Sequence, residues 1–243
     1  MPPLPSDAKA RPPEDFADML ATPEPVLLVG GQAVNLWALY YESRTADLAP
    51  FVSRDVDVLG DRETLELLGK IAGKKPQVFP LKPPSNEVGV VVAQAPDGSP
   101  LLVEVLRSVH GVTKEELHTP SYTMAIGAAQ VKLPSPIALL QAKLANVADL
   151  SQSGRQDARH VLILVQLMPA YLLDIQAAVL AGRLDERKFI EILERLLAVI
   201  TPMRARKVLH HLDRPVPDLF SGLGHEKLAK VQAFIDKRLS RVR

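Results

Sequence analysis

Apolar positions along this chain come in short runs over the first half and in long helical stripes over the second. Val26-Leu27-Leu28-Val29 is an unbroken apolar tetrad between Pro25 and Gly30, the pattern of a buried strand. Gly30-Gly31 then reads as a tight turn, with a helix from Ala33 to Tyr41 opening directly after it. In Arg54-Asp55-Val56-Asp57-Val58-Leu59 acids alternate with apolar residues. A strand there turns Asp55 and Asp57 to one face and Val56 and Val58 to the other. A helix from Glu63 to Ala72 follows, then short strands near Gln77–Phe79, Val88–Ala93, Leu101–Leu106 and Ala129–Val131. Asp97-Gly98 is a hairpin signal between two of them.

From Pro134 onward the strand pattern fades. Pro136 opens a helix carrying Leu139, Leu140, Lys143 and Leu144, and helices follow near Asp157–Leu167, Ala170–Ala181, Glu186–Val199 and Glu226–Leu239. The fold class expected is α+β: a small mixed sheet with flanking helices, followed by a C-terminal helical domain. The expected boundaries are a flexible proline-rich arm over residues 1–25, an α/β core over 26–133 and a helical domain over 134–243. Pro2, Pro3, Pro5, Pro12 and Pro13 mark the arm as extended, with a short helix at Glu14–Leu20. Tyr40 to Ser53 reads as a loop insertion, and no repeat of fixed period is present.

Composition narrows the classes. With 243 residues and 47% apolar content, the chain can bury a full core. A formal net charge of +1 supplies no global field that commits it to nucleic acid or membrane. The absence of cysteine excludes disulfides, thiolate metal sites and a cysteine nucleophile, and fits a cytoplasmic setting. The longest apolar run, Val161 to Leu173, is broken by Gln166 and Pro169 and falls short of the roughly 18 residues a bilayer span requires, so no membrane association is expected.

Candidate chemistry centres on the acids. Asp55 and Asp57 on one strand face suit a divalent metal, and Gly30-Gly31-Gln32 at a helix N-terminus offers backbone N–H groups to phosphate. A third acid, Glu104, lies inside the apolar run Leu101-Leu102-Val103-Glu104-Val105-Leu106, expected as a central strand, where an unpaired carboxylate is costly to bury. A metal shared with Asp55 and Asp57 would offset that cost; the alternative is that Glu104 faces solvent or pairs with Arg107. Three oxygen donors near a phosphate-binding turn describe metal-assisted phosphoryl or nucleotidyl transfer.

The Gly30-Gly31 turn, the helix after it, Asp55-Val56-Asp57 and the later strand acid together resemble the signature of the nucleotidyltransferase superfamily with the DNA polymerase β-like fold. Pro136 to Leu167, with Lys143 on one helix and Arg155-Gln156-Asp157 opening the next, is similar to the AbiEii-type nucleotidyltransferases of bacterial toxin–antitoxin systems. The resemblance covers most of Val26 to Leu167. It implies that Lys143 and Asp157 face the nucleotide, with Gly30, Gly31 and Gln32 at the phosphates. It implies a metal, Mg²⁺ or Mn²⁺, on Asp55, Asp57 and Glu104, and a catalytic set of Asp55, Asp57, Glu104 and Lys143. The gap between the glycines and Asp55 is longer than the family's, and a glutamate stands where many relatives carry aspartate.

The function this implies is transfer of an NMP from an NTP to a hydroxyl on RNA such as tRNA, on a protein or on a small molecule. The enzyme would be the toxin of a toxin–antitoxin pair, with an antitoxin as partner. The alternative is a catalytically silent domain acting as a binding partner. On the residues alone, Lys143 is equally a lysine snorkelling from an apolar face, and Asp157 a first-turn acid favoured by the helix dipole. Ser53 and Arg54 stand beside the acids. His210 and His211 point about 100° apart on a helix and make a poor metal site. Arg204, Arg206 and Lys207, with Lys237, Arg238, Arg241 and Arg243, give the last helices a basic bias that suits RNA phosphates or a solvated face. Trp37 and Tyr40 suit core packing or a stacked base.

Overall fold

The computed structural model describes residues 8–80, 82, 85–224 and 226–241. Pro2, Pro3 and Pro5 of the arm, and Arg243, lie outside the described residues. The chain folds as two compact units. One comprises the described residues up to Tyr40 together with Leu48–Leu139; the other comprises Tyr41–Asp47 and the described residues from Leu140 onward.

The first unit is built on a mixed seven-stranded sheet. After a 3₁₀ turn at Pro13–Leu20 come β1 (Leu27–Val29) and α1 (Gly30–Tyr40). The chain then passes through α2 (Glu42–Thr45) and a second 3₁₀ turn (Ala46–Leu48) into β2 (Asp55–Leu59) and α3 (Arg62–Ile71). The rest of this unit is β3 (Gln77–Val78), β4 (Glu87–Gln94), β5 (Pro100–Leu106), α4 (Lys114–His118), β6 (Ser121–Ile126) and β7 (Ala129–Pro134). The strand order is β3-β4-β5-β2-β1-β7-β6, so β5 and β2 run through the middle of the sheet. β2 pairs parallel with β5 and antiparallel with β1, and β1 pairs parallel with β7. The fold class is therefore α+β, with helices on a mixed sheet and an all-helical remainder.

Register sorts the side chains. Residues paired across strands share a face and alternate along each strand. Leu27 and Val29 of β1, Asp55, Asp57 and Leu59 of β2, and Leu102, Glu104 and Leu106 of β5 thus lie on one face, with Val90 and Val92 of β4 beyond them. On that face Leu27, Val29, Leu59, Leu117 and Ala138 form one apolar cluster, and Phe79, Val90 and Leu102 form another. The acids sit between the two. Val56, Val58, Val103 and Val105, buried on the opposite face, are the apolar half of the alternation.

Three parts of this unit depart from the sequence expectation. Gly30 and Gly31 are the first residues of α1, not a separate turn before it, with Gly30 at φ +66°. The arm is folded from Arg11 onward: Phe16 and Leu20 are fully buried, and Arg11 pairs with Ser53 through backbone bonds of 2.8 and 3.0 Å. α4 and β6 have no counterpart in the reading of the sequence. α4 is fixed by a capping box between Thr113 and Glu116, and β6 by full antiparallel pairing with β7.

The second unit contains the C-terminal part of α5 (Pro136–Asp149), then α6 (Asp157–Leu180), α7 (Glu186–Ile200), α8 (Met203–His211) and α9 (Ala229–Lys237). Tyr41–Asp47, part of the expected loop insertion over Tyr40 to Ser53, packs into this unit. Tyr41 Oη donates to Asp174 at 2.8 Å, and Gln166 Nε2 donates to the Arg44 carbonyl at 2.7 Å and to Asp47 Oδ1 at 2.6 Å. α6 is one helix, although Pro169 lies inside it. The proline removes one backbone donor, but Val165, Met168, Tyr171 and Leu172 are buried on both sides of it and hold the axis together. The uninterrupted helix is long and apolar enough, by length and composition, to cross a membrane, which the run read only to Leu173 was not. Half of its most apolar stretch is buried within the unit.

Candidate active site

The acid face of the central strands is assembled by register. Asp57 pairs with Glu104 across β2 and β5 and with Val29 across β2 and β1; Asp55 lies two residues away on the same face. Val29 leads directly into Gly30, which brings the start of α1 against Asp57. A Cβ built on Gly30 would lie 1.7 Å from Asp57 Oδ2 and 2.6 Å from its Cγ. The glycine is required twice, by its left-handed φ and by the carboxylate occupying the place of its side chain. Backbone N–H groups in the first turn of α1 lack intrahelical partners, so an acceptor-rich group is favoured here.

Each acid has a distinct environment. Asp55 accepts a hydrogen bond from Ser53 Oγ at 3.1 Å, and Ser53 is itself held by its backbone pairing with Arg11. Glu104 has no hydrogen-bond or ion-pair partner among the described residues. Burial, then the charges of Asp57, Asp55 and Glu87, push its carboxyl up to about 8. The expected alternative pairing with Arg107 is not made: that guanidinium donates to the Glu87 carbonyl at 2.8 Å.

The donor chemistry fits a hard divalent cation, since three carboxylates share one face and one of them, Glu104, lacks a compensating charge. Among the described residues, however, no three His, Asp or Glu side chains stand together as a ready-made cage.

Gln32 stands in the first turn of α1. It is fully buried, donating through Nε2 to the Arg11 carbonyl at 2.9 Å and accepting from Asn35 Nδ2 at 2.9 Å. Its side chain anchors the arm. Trp37 is also a core residue, with Nε1 donating to the Pro134 carbonyl at 2.9 Å and its ring edge-on to Tyr40 and Tyr122. Arg54 is exposed at the strand entry. Arg11 was not singled out in the sequence; an arginine among prolines gives no signal that it will pair with a strand across the fold.

Lys143 and Asp157 come together within the second unit. Lys143 Nζ lies 2.8 Å from Asp157 Oδ1, and both residues are buried, 7% and 3% exposed. Arg155 Nε reaches Asp157 Oδ2 at 2.6 Å, and Asn146 Nδ2 donates to Oδ1 at 3.3 Å. Burial alone would raise the Asp157 carboxyl, but the Lys143 charge and the bonds from Lys143, Arg155 and Asn146 bring it down to about 2. His160, one turn along α6, is 4% exposed and neither ring nitrogen has a partner among the described residues. Burial and then the Lys143 charge hold it down to about 3, so its ring is neutral. No sequence pattern marked His160.

The chain matches no known family model and no curated protein. Among solved structures it is similar to an antigenic nucleotidyltransferase-like protein from Paracoccidioides brasiliensis, at 18% identity and a TM-score of 0.39. The match covers 68% of this chain and 78% of that one. A likeness this slight transfers neither fold nor activity.

Proposed function

We propose that the protein is a metal-dependent nucleotidyltransferase that moves an NMP from an NTP to a hydroxyl acceptor. The observation that carries this reading is the meeting of Gly30, Asp57 and Glu104: a glycine-opened helix start against one carboxylate, with a second, unpartnered carboxylate in register beside it. The first turn of α1 binds the triphosphate through backbone N–H groups. Asp55 and Asp57, assisted by Glu104, are the residues that would hold Mg²⁺ or Mn²⁺, which when bound neutralises phosphate charge and polarises the reacting oxygens.

The alternative role for Glu104, in place of a third ligand, is general base, since it lies in register beside Asp57 and has no other partner among the described residues. In the step itself the acceptor oxygen forms a bond to the α-phosphorus, the bond from that phosphorus to the bridging oxygen breaks, pyrophosphate leaves, and the hydroxyl proton passes to Glu104. Ser53 positions Asp55. Lys143, held by Asp157, is assigned to the nucleotide by the AbiEii-type resemblance. A toxin role with an antitoxin partner rests on the same resemblance and adds no residue to the site.

The test is incubation of the purified protein with α-labelled NTPs, Mg²⁺ or Mn²⁺, and RNA, protein and small-molecule acceptors. Label is expected to move with wild type and to stay in the NTP with Asp57→Ala. Absence of both nucleotide binding and transfer with either metal overturns the reading and leaves a silent, partner-binding domain.

A further inference from the structure

On α8, the residues Met203, Arg206, Lys207, His210 and His211 recur at helical spacing, and with Thr201 they line a single open cleft on the second unit. The opposite stripe, Ala205, Val208 and Leu209, is buried against the rest of the unit, so the polar stripe faces solvent. Met203 is 73% exposed at one end of it. From Arg195 through Leu212 the chain contains no acid, while it contains Arg195, Arg204, Arg206 and Lys207. Arg204 stands outside the stripe, held by Asp149 at 2.9 Å.

We propose that this cleft is a docking surface for the phosphodiester backbone of a nucleic acid strand. Charge complementarity selects the occupant. Arg206 and Lys207 supply the cations and His210 and His211 supply N–H donors, and all four line one concavity. The stripe spans about 12 Å along the axis, enough for two or three consecutive phosphates. With Met203 as its only large apolar residue, the surface has too little apolar area to enter a lipid interface. No Phe, Tyr or Trp is among its lining residues, so the contact is made chiefly to phosphates and is indifferent to sequence.

This inference stands apart from the transfer reading and involves none of its residues. The experiment is fluorescence anisotropy of the full-length protein with a labelled mixed-sequence oligoribonucleotide of about 20 nucleotides at about 50 mM salt, where non-specific contacts of this kind bind in the micromolar range. With two or three phosphates engaged, the logarithm of affinity should fall against the logarithm of salt with a slope of about −1.5 to −2.

Arg206→Glu/Lys207→Glu is expected to weaken binding about tenfold or more, whereas Lys74→Glu/Lys75→Glu, an equal charge change on an exposed loop of the first unit, should change it by less than about twofold. The milder Arg206→Gln/Lys207→Gln pair keeps the test open should the reversal disturb folding, and should lose about fivefold. Asp57→Ala, inactive under the transfer reading, should bind RNA as wild type does. Equal losses from both reversals, no binding by wild type, or displacement by inorganic triphosphate at equal phosphate concentration overturns the proposal. Binding to anionic phosphatidylserine vesicles that is stronger than to RNA and lost in the reversal also overturns it, by making lipid the occupant.

Discussion

The carboxylate of Asp57 fills the space a side chain at Gly30 would need, with Oδ2 1.7 Å from the position of a Cβ. Two residues far apart in the chain are thereby made interdependent. Gly30→Ala must adopt a left-handed φ and displace Asp57 at once, and it should lower stability by about 2 kcal/mol or more. Urea unfolding followed by circular dichroism measures this. Adding Asp57→Ala to the same chain should recover the part of the loss due to the clash, leaving the part due to φ.

Glu104→Gln should stabilise the metal-free protein at alkaline pH. The folded carboxyl titrates near 8 against an ordinary 4.5, so between these values the native state holds a proton that the unfolded chain has released. Stability from this group falls as pH rises through that window. Wild type should lose about 4 kcal/mol at most between about pH 5 and 9 from this source, and the glutamine variant should not. Thermal unfolding across pH in the presence of EDTA reads the difference.

Asp157→Asn should destabilise the protein by about 3–5 kcal/mol, because it leaves the buried Lys143 ammonium without its counter-charge. Lys143→Met/Asp157→Leu should recover most of the loss. The Asp157 carboxyl is depressed to about 2 from 3.8. The stability it contributes is therefore complete above about pH 4 and lost as pH falls through about 2, and the asparagine variant should lack this acid-limb component. Denaturant midpoints between pH 2 and about 7 test both statements.

His160→Leu should be neutral or stabilising by about 1 kcal/mol, since it exchanges a buried imidazole with two unpartnered nitrogens for an apolar side chain of similar size. A shift of the urea midpoint to higher concentration is the expected result. Hydrogen exchange should show the early turns of α6 protected as in wild type.

Much of the central sheet is legible in the sequence because its signals are local. Asp55–Leu59 alternates over five residues, and the strand has those limits. Glu104 in an apolar run is expected on a central strand, and β5 lies beside β2 in the middle of the sheet. What is not legible depends on tertiary partners. β6 has only Ile126 buried, so its pattern is weak and its pairing with β7 decides it. α8 reads as a basic surface run because its buried stripe is only Ala205, Val208 and Leu209. Pro169 suggests a helix end, and the packing on either side of it overrides that preference. Gln32 sits at the position expected for phosphate contact, yet its environment is set by Arg11, which no local pattern connects to it.

The short excursion through Tyr41–Asp47 has a consequence for how the gene can be divided. Neither compact unit is encoded by one continuous stretch, because the polypeptide crosses between them three times. A fragment beginning at Leu140 would leave Asp174 without the Tyr41 hydroxyl and Gln166 without both of its acceptors. The helical half is thus dependent on a heptapeptide borrowed from the other end of the reading frame, and cutting the protein in two at a single junction yields a piece with an unfilled seam.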